Sequence, residues 1–343
     1  MLVPVCPACL GPLDDGGDTR RCRSCPASYR SLRGIPDLRT AEDGYLPNAE
    51  DWEFALRLDA AYDRLDFRGL LDFYYDLCPE VTPDLQARQV GHILTSGPRS
   101  WAWAEALGPG LPGGPWLDLG CGSGSFLAAT AGDREGLVGL DVAMRWLLVA
   151  RKRLDEAGLG SVGLVCGNAE RIPFGDQTFA AVVAGDVIEH VADQAATLAE
   201  AYRALMPGGR LFLASPNRFS LAPEPHVGVW GVGYLPRRWM EAYVKFVRRV
   251  DFRAIRTLSY AEWTRTIARS PFGRGSIRAP ILAPSDMDHA GPITRAMGLA
   301  YNRLASTRVG QAMMRRVGPL FHVVATRPVP PGPTPPPPPP TTP

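Results

Sequence analysis

The stretch Trp116-Leu117-Asp118-Leu119-Gly120-Cys121-Gly122-Ser123-Gly124 runs an apolar strand into three glycines at alternate positions, and a helix-like run follows from Ser125. Glycine lets the backbone turn tightly and lets a ligand approach with no Cβ in the way. A strand, such a turn and a helix N-terminus together make a nucleotide-type site at the carboxyl edge of a parallel sheet. The dinucleotide fingerprint is G-x-G-x-x-G. Here the third glycine arrives one residue early, at Gly124, and an acid, Asp118, stands two residues before Gly120.

The elements downstream keep the same grammar. Leu137-Val138-Gly139-Leu140-Asp141 is a short apolar run ending in an acid, about twenty residues on. Val162 to Cys166 is a third strand and leads into Gly167-Asn168-Ala169-Glu170. Phe179 to Gly185 is nearly continuous in apolar residues, as a strand buried on both faces is. A helix is predicted from about Gln194 to Leu205, stopped by Pro207-Gly208-Gly209, with a fifth strand from Arg210 to Ser215.

Over residues 115–218 this order resembles the class I S-adenosylmethionine (SAM) methyltransferases. Their first motif is roughly D/E-x-G-x-G-x-G, and Leu205-Met206-Pro207-Gly208-Gly209 matches their L-x-P-G-G phrase. The resemblance implies an α/β fold: a Rossmann-like seven-stranded sheet, its last strand antiparallel, with helices on both faces. It implies that SAM lies against Asp118, Gly120, Gly122 and Gly124, with Asn168 or Ala169, followed by Glu170, beside the adenine. Asp186 falls near the methionine end of the donor. Asp141 suits the ribose, because a carboxylate is acceptor-only and takes two hydroxyl donors at once. The competing role for Asp141 is to cap the helix that begins near Ala143.

Cys6-x-x-Cys9 and Cys22-x-x-Cys25 are two knuckles separated by twelve residues. That spacing is close to a zinc-ribbon template, in which four thiolates surround one structural ion. Metal binding would supply roughly 10–16 kcal/mol of folding free energy to a segment too small and polar to hold a core. The alternative is a pair of disulfides. Pro7, Gly11, Tyr29 and Gly34-Ile35-Pro36-Asp37-Leu38 resemble the Trm112-like ribbon, which also precedes the catalytic domain of bacterial ribosomal-RNA guanine N1-methyltransferases. Cys78, Cys121 and Cys166 read as small buried apolar residues.

Hydrophobic content of 45% and charged content of 21% are those of a globular protein. The net charge of +2 hides an uneven distribution. Residues 41–84 hold twelve acids against three Arg, and residues 237–318 hold sixteen basic residues against five acids. No apolar run reaches the eighteen or so residues that span a bilayer, and no secretory signal opens the sequence. A cytoplasmic protein is expected.

The acceptor side begins after the fifth strand, in a loop carrying Glu224, His226, Trp230 and Tyr234. His226 is the candidate general base, because its ordinary pKa near 6.5 lets it take a proton at neutral pH. The competing role is a hydrogen bond that only holds the loop. Asp186, Glu189 and His190 match the E-x-x-E-H positions that hold a divalent cation in ubiquinone-type O-methyltransferases, with a shorter first acid here. Oxygen and imidazole ligands of this kind accept Mg²⁺ or Zn²⁺.

The expected organisation is a zinc ribbon over 1–40, a helical lid or linker over 41–110, a methyltransferase domain over 111–328 and a Pro-rich tail over 329–343. A sixth strand is predicted at Arg253 to Ser259 and a seventh at Leu320 to Thr326, with a basic helical insertion between them at about 260–318. That insertion widens the acceptor pocket or meets a membrane surface or RNA phosphates. The expected reaction is methyl transfer from SAM to a small-molecule acceptor, an O-methylation for preference. Guanine methylation of ribosomal RNA is the first alternative. A non-catalytic SAM-binding partner protein is the second.

Overall fold

The structure is a computed structural model that describes residues 2–14, 16–79, 81–95, 108–134, 136–282 and 292–330. Its centre is a seven-stranded sheet in the order β6-β5-β4-β7-β8-β10-β9. The strands are β4 (Trp116–Leu119), β5 (Leu137–Asp141), β6 (Gly163–Cys166), β7 (Phe179–Gly185), β8 (Leu205–Pro216), β9 (Gly275–Arg278) and β10 (Leu320–Thr326). β10 runs antiparallel to both neighbours, and the remaining strands pair in parallel. This is the Rossmann-like methyltransferase sheet that the motif order predicts.

β4 and β7 are central and almost wholly buried, which is why their sequences carry no polar alternation. One face packs under α1 (Asn48–Tyr62), α2 (Phe67–Asp76) and α5 (Met144–Glu156), through Leu58, Leu70, Leu147 and Leu148. The other face packs under α6 (Gln194–Ala204) and α8 (Tyr260–Arg269), through Leu198, Trp263 and Ile267. The remaining described helices are α3 (Pro83–Thr95), α4 (Ser125–Thr130), α7 (Arg237–Arg248), α9 (Pro292–Ala305) and α10 (Arg308–Val317).

The N-terminal segment forms a small antiparallel sheet of β1 (Thr19–Arg21), β2 (Ser28–Leu32) and β3 (Ile35–Pro36). It lies along the outer edge of β6. Leu38 N–H donates to Cys166 O at 2.7 Å, and Val5 N–H donates to Pro173 O at 2.9 Å. An otherwise open sheet edge is thereby covered. Cys6, Leu13 and Leu38 join the same apolar cluster as Leu140 and Val165.

Charge fixes the next segment. Asp51 on α1 is fully buried and accepts from Arg39 Nη1 at 2.8 Å and Arg145 Nη1 at 2.6 Å. It also accepts the Met144 N–H at 2.9 Å, so one carboxylate pairs two guanidiniums and caps α5 from another helix.

The strand predicted over 253–259 does not form. That stretch opens in a turn at Arg253 and Ala254, gives its Arg256 N–H to Glu189 O, and meets the residue after β8 through an Asn217–Leu258 bridge. Ser259 and Glu262 then form a capping box that starts α8 at once. The edge strand is β9, Gly275–Arg278, within the stretch expected as a helical insertion. Its short Gly-Ser-Ile-Arg sequence buries only Ile277, so no apolar pattern announces it. Helix α6 ends at Ala204, one residue short of the expected Leu205. β8 starts at once and runs through Pro207-Gly208-Gly209, five residues ahead of the predicted start at Arg210, with Gly208 at φ +80°. The Pro-rich tail lies almost entirely outside the described residues.

Candidate functional site

The glycine loop turns on left-handed backbone. Gly120, Gly122 and Gly124 have φ of +74°, +48° and +74°. A Cβ on Gly120 would also lie 2.3 Å from Val187 Cγ2, so both the torsion and the space demand glycine there. The loop is tied to the next strand by Leu140 O, which accepts the N–H groups of Gly120 and Cys121 at 2.7 and 3.0 Å. Asp141 completes the tie: Oδ2 accepts Gly122 N–H at 2.8 Å and Oδ1 accepts Ala143 N–H at 2.9 Å. Burial pushes its pKa up, and the two amide bonds oppose that. Asp141 therefore ties the glycine loop to Ala143, which is itself the N-cap of α5, and it also lines the cavity.

Most of the expected donor-binding residues line one cavity of about 2540 Å³. Gly120, Gly122, Asp141, Asn168, Ala169 and Glu170 are on its wall, with Asp186. Asp118 and Gly124 are not. Asp118 is buried behind the loop, and its Oδ2 has no hydrogen-bond partner among the described residues. Burial, then the nearby Asp141 carboxylate, push its pKa well up. Gly124 is the N-cap of α4 and faces Ala150.

Three side chains have structural duties that the sequence does not advertise. Asn168 Oδ1 accepts the N–H groups of Thr40 and Ala41 at 2.8 and 3.2 Å, and its Nδ2 donates to Ala41 O. Its amide thus clasps the chain leaving the N-terminal sheet. Glu170 Oε1 accepts from Ala192 and Asp193 N–H just ahead of α6. Asp186 takes φ +55°, a strained conformation for a residue other than glycine, and sits where β7 ends.

Across the cavity, the acceptor loop meets the end of β7. His226 Nε2 lies 3.1 Å from His190 Nε2. His226 Nδ1 lies 2.6 Å from Glu224 Oε1, and the Tyr45 hydroxyl hydrogen-bonds His190 Nδ1. Glu189 is fully buried beneath the pair, its Oε1 at 3.8 Å from His226 Nε2 and 4.0 Å from His190 Nε2. Ser215 Oγ donates to the other oxygen of Glu189 at 3.1 Å. Burial and the neighbouring Asp186 charge raise Glu189 to about 8. Burial, then the charge of His226, lower His190 to about 4. Burial pulls His226 down, but its bond to Glu224 outweighs that and leaves it raised.

The cation ligands expected at Asp186, Glu189 and His190 need one correction. The ligand atoms that converge are those of Glu189, His190 and His226, all within 4.8 Å of one another, and Asp186 is not in that group. Spacing along the chain does not reveal His226 as the third member, because it arrives from a loop 36 residues away. Tyr45 and Asp43 also line the cavity; they fall in the segment 41–110 expected as a helical lid or linker, in which neither residue is singled out by the sequence.

The four ribbon cysteines gather at the N-terminal sheet. Their Sγ atoms all lie within 4.8 Å of one another, with Cys6–Cys25 at 3.7 Å and Cys9–Cys22 at 3.4 Å. A tetrahedral zinc with Zn–S near 2.3 Å sets its sulfurs about 3.8 Å apart. All four cysteines are free thiols, so the disulfide alternative is not formed, and the residues fit the ion. No helix of the described residues is long and apolar enough to cross a membrane.

Residues 117–213 match the sequence profile of the family described as "Methyltransferase domain". The chain is 31% identical over 151 residues to a demethylmenaquinone methyltransferase of Listeria welshimeri, covering 43% of this chain and 58% of that protein. It is 30% identical over 166 residues to the protein of the same name from a Geobacillus strain, covering 47% and 65%. The chain thus spans about three fifths of the curated relatives it matches. Among solved structures, Haemonchus contortus phosphoethanolamine N-methyltransferase 2 in complex with S-adenosyl-L-methionine aligns with a TM-score of 0.45 at 18% identity. That alignment covers 67% of this chain and 52% of that one. Glycine loop, strand order and family match agree over one stretch: residues 117–213 are similar to a methyltransferase domain and lie on a methyltransferase-type sheet.

Proposed function

We propose that this protein transfers the methyl group of SAM to an oxygen of a small-molecule acceptor. The observation that carries the reading is that the glycine loop and Asp141 share one cavity with the Glu189, His190 and His226 cluster. The first group suits the donor, with Asp141 accepting the ribose hydroxyls and the backbone at Asn168 and Ala169 beside the adenine. The second suits the acceptor. The methyl carbon leaves the sulfonium with its bonding pair going to sulfur, and the acceptor oxygen forms the new bond in line. Holding both reactants in one cavity supplies much of the rate. His226, oriented through Nδ1 by Glu224, is the side chain placed to activate the acceptor hydroxyl, as a base in the metal-free protein.

A small molecule is preferred to RNA because residues 41–84, which bring Glu42 and Asp43 to the wall, carry twelve acids against three Arg and disfavour a long phosphate track, although the wall also holds Arg145, Arg171, Arg248, Arg253 and Arg256. The Cys6, Cys9, Cys22 and Cys25 set holds a structural zinc in this reading, and the ribbon serves to seal the edge of β6. Calorimetry with SAM tests the donor half: the wild-type protein binds and Asp141→Ala does not. Unchanged affinity in that variant removes the ribose assignment.

A further inference from the structure

We infer that Glu189, His190 and His226 form a binding site for one divalent transition-metal ion, facing the acceptor end of the cavity. The three ligand atoms stand 3.1, 3.8 and 4.0 Å apart. The point equidistant from them lies about 2.1 Å from each, which is the bond length of zinc and similar ions to imidazole nitrogen and carboxylate oxygen.

Each ligand is also held from behind. Glu224 accepts from His226 Nδ1–H, which leaves Nε2 with its lone pair toward the centre. The Tyr45 hydroxyl hydrogen-bonds His190 Nδ1, and in the tautomer where it accepts from Nδ1–H the Nε2 lone pair is left for the ion. Ser215 fixes the far oxygen of Glu189. Carboxylate and hydroxyl partners behind ligating imidazoles are the usual outer layer of a metal centre.

The unsatisfied atom points the same way. Glu189 Oε1 is fully buried and has no hydrogen-bond partner among the described residues. A proton on that oxygen would not satisfy it, since the two imidazole nitrogens at 3.8 and 4.0 Å are beyond hydrogen-bond reach. A cation at the centre satisfies Glu189 Oε1 and replaces the hydrogen bond that the two imidazole nitrogens make with each other at 3.1 Å. Two imidazoles and one carboxylate suit zinc, iron, manganese or cobalt in the divalent state, and not magnesium, which favours oxygen ligands and keeps its waters.

Three protein ligands leave coordination positions open to the cavity, next to Asp186 and the donor-binding loop. An acceptor hydroxyl taken up there loses its proton to solvent and presents an anionic oxygen to the SAM methyl. With the ion bound, His226 acts as a ligand and not as a base. This catalytic role rests on the methyl-transfer reading above; the existence of the site does not.

The test is metal counting, independent of turnover. Full-length protein is stripped with a chelator, reloaded with Co²⁺ alone, and assayed for bound cobalt and visible absorption. Wild type is expected to hold two ions: one with the thiolate charge-transfer band of the four-cysteine ribbon, one with ligand-field bands and no thiolate band. His226→Gln and Glu189→Gln should each lose the second ion and keep the first, with circular dichroism confirming that both variants fold. The inference is overturned if wild type holds only the thiolate-bound ion, or if both variants retain two. Methyl transfer with a single ribbon-bound ion would overturn this site alone. Two ions with no SAM binding would overturn the methyl-transfer reading and leave the site standing.

Discussion

Arg39 and Asp51 form an ion pair that water scarcely reaches: Nη1 and Oδ2 are 2.8 Å apart, and the side chains are 2% and 0% exposed. The same carboxylate holds Arg145 and the first amide of α5. It therefore joins the segment after the ribbon, the outer helix α1 and the helix that follows Asp141. Asp51→Ala takes the carboxylate partner from Arg145 and one of two from Arg39, which keeps Asp37 at 2.8 Å. Removing one side of a buried pair costs about 3–5 kcal/mol, so the urea midpoint should fall sharply. Asp51→Asn keeps an acceptor for Met144 N–H and should lose less. Equal stability in all three proteins would contradict this reading of the junction.

Asp141→Ala removes the acceptor proposed for both ribose hydroxyls and also frees Gly122 N–H. At about 1.5–3 kcal/mol for each hydrogen bond to a charged group, SAM affinity should fall about 100-fold or more by calorimetry. Asp141→Asn should retain part of it.

Gly120→Ala meets two obstacles, a φ of +74° and Val187 Cγ2 at 2.3 Å. Gly120→Ala should fold less stably and lose SAM binding. Adding Val187→Ala relieves the clash and not the torsion, so the double variant should recover stability in part. Wild-type binding by the single variant would show that the loop is looser than its geometry states.

Zinc in the ribbon should be countable. Cys9→Ser should release the ion held with thiolates and lower the thermal midpoint, because the ribbon covers β6 through Leu38 and Val5. Unchanged zinc content in that variant would contradict the four-cysteine assignment.

Glu262 gives the fold a pH-sensitive joint. Burial pushes its carboxyl up, but bonds from Arg237 and Ser259 outweigh this and hold it at about 2, below its ordinary 4.5. A depressed folded-state pKa contributes stability that is fully present above 4.5 and is lost as pH falls toward 2. Denaturant midpoints of wild type should therefore fall across that window more steeply than those of Glu262→Gln. Parallel curves would count against the capping box as a source of stability.

Much of the central sheet was legible because its signals are local. Glycines at 120, 122 and 124 and the acid closing β5 are set by backbone geometry within a few residues. The cysteine quartet is legible for the same reason: each knuckle is a fixed short spacing. What escaped depends on distant partners. β9 has one buried residue, so it carries no period to read. The predicted strand at 253–259 is apolar enough for one, but the Ser259 capping box and the Arg256–Glu189 bond direct that backbone elsewhere. His226 could be singled out as chemically useful, yet its meeting with His190 and Glu189 belongs to the fold. Asn168 was expected beside the adenine, and only the folded chain shows its amide occupied by Thr40 and Ala41.

Methyl transfer itself is tested most directly with methyl-labelled SAM. The purified protein is incubated with label and an extract of its source cells, and label is then partitioned among small-molecule, RNA and protein fractions. The account predicts label in the small-molecule fraction, abolished by Asp141→Ala. Label in RNA, or SAM binding with no label transferred to any fraction, would contradict it.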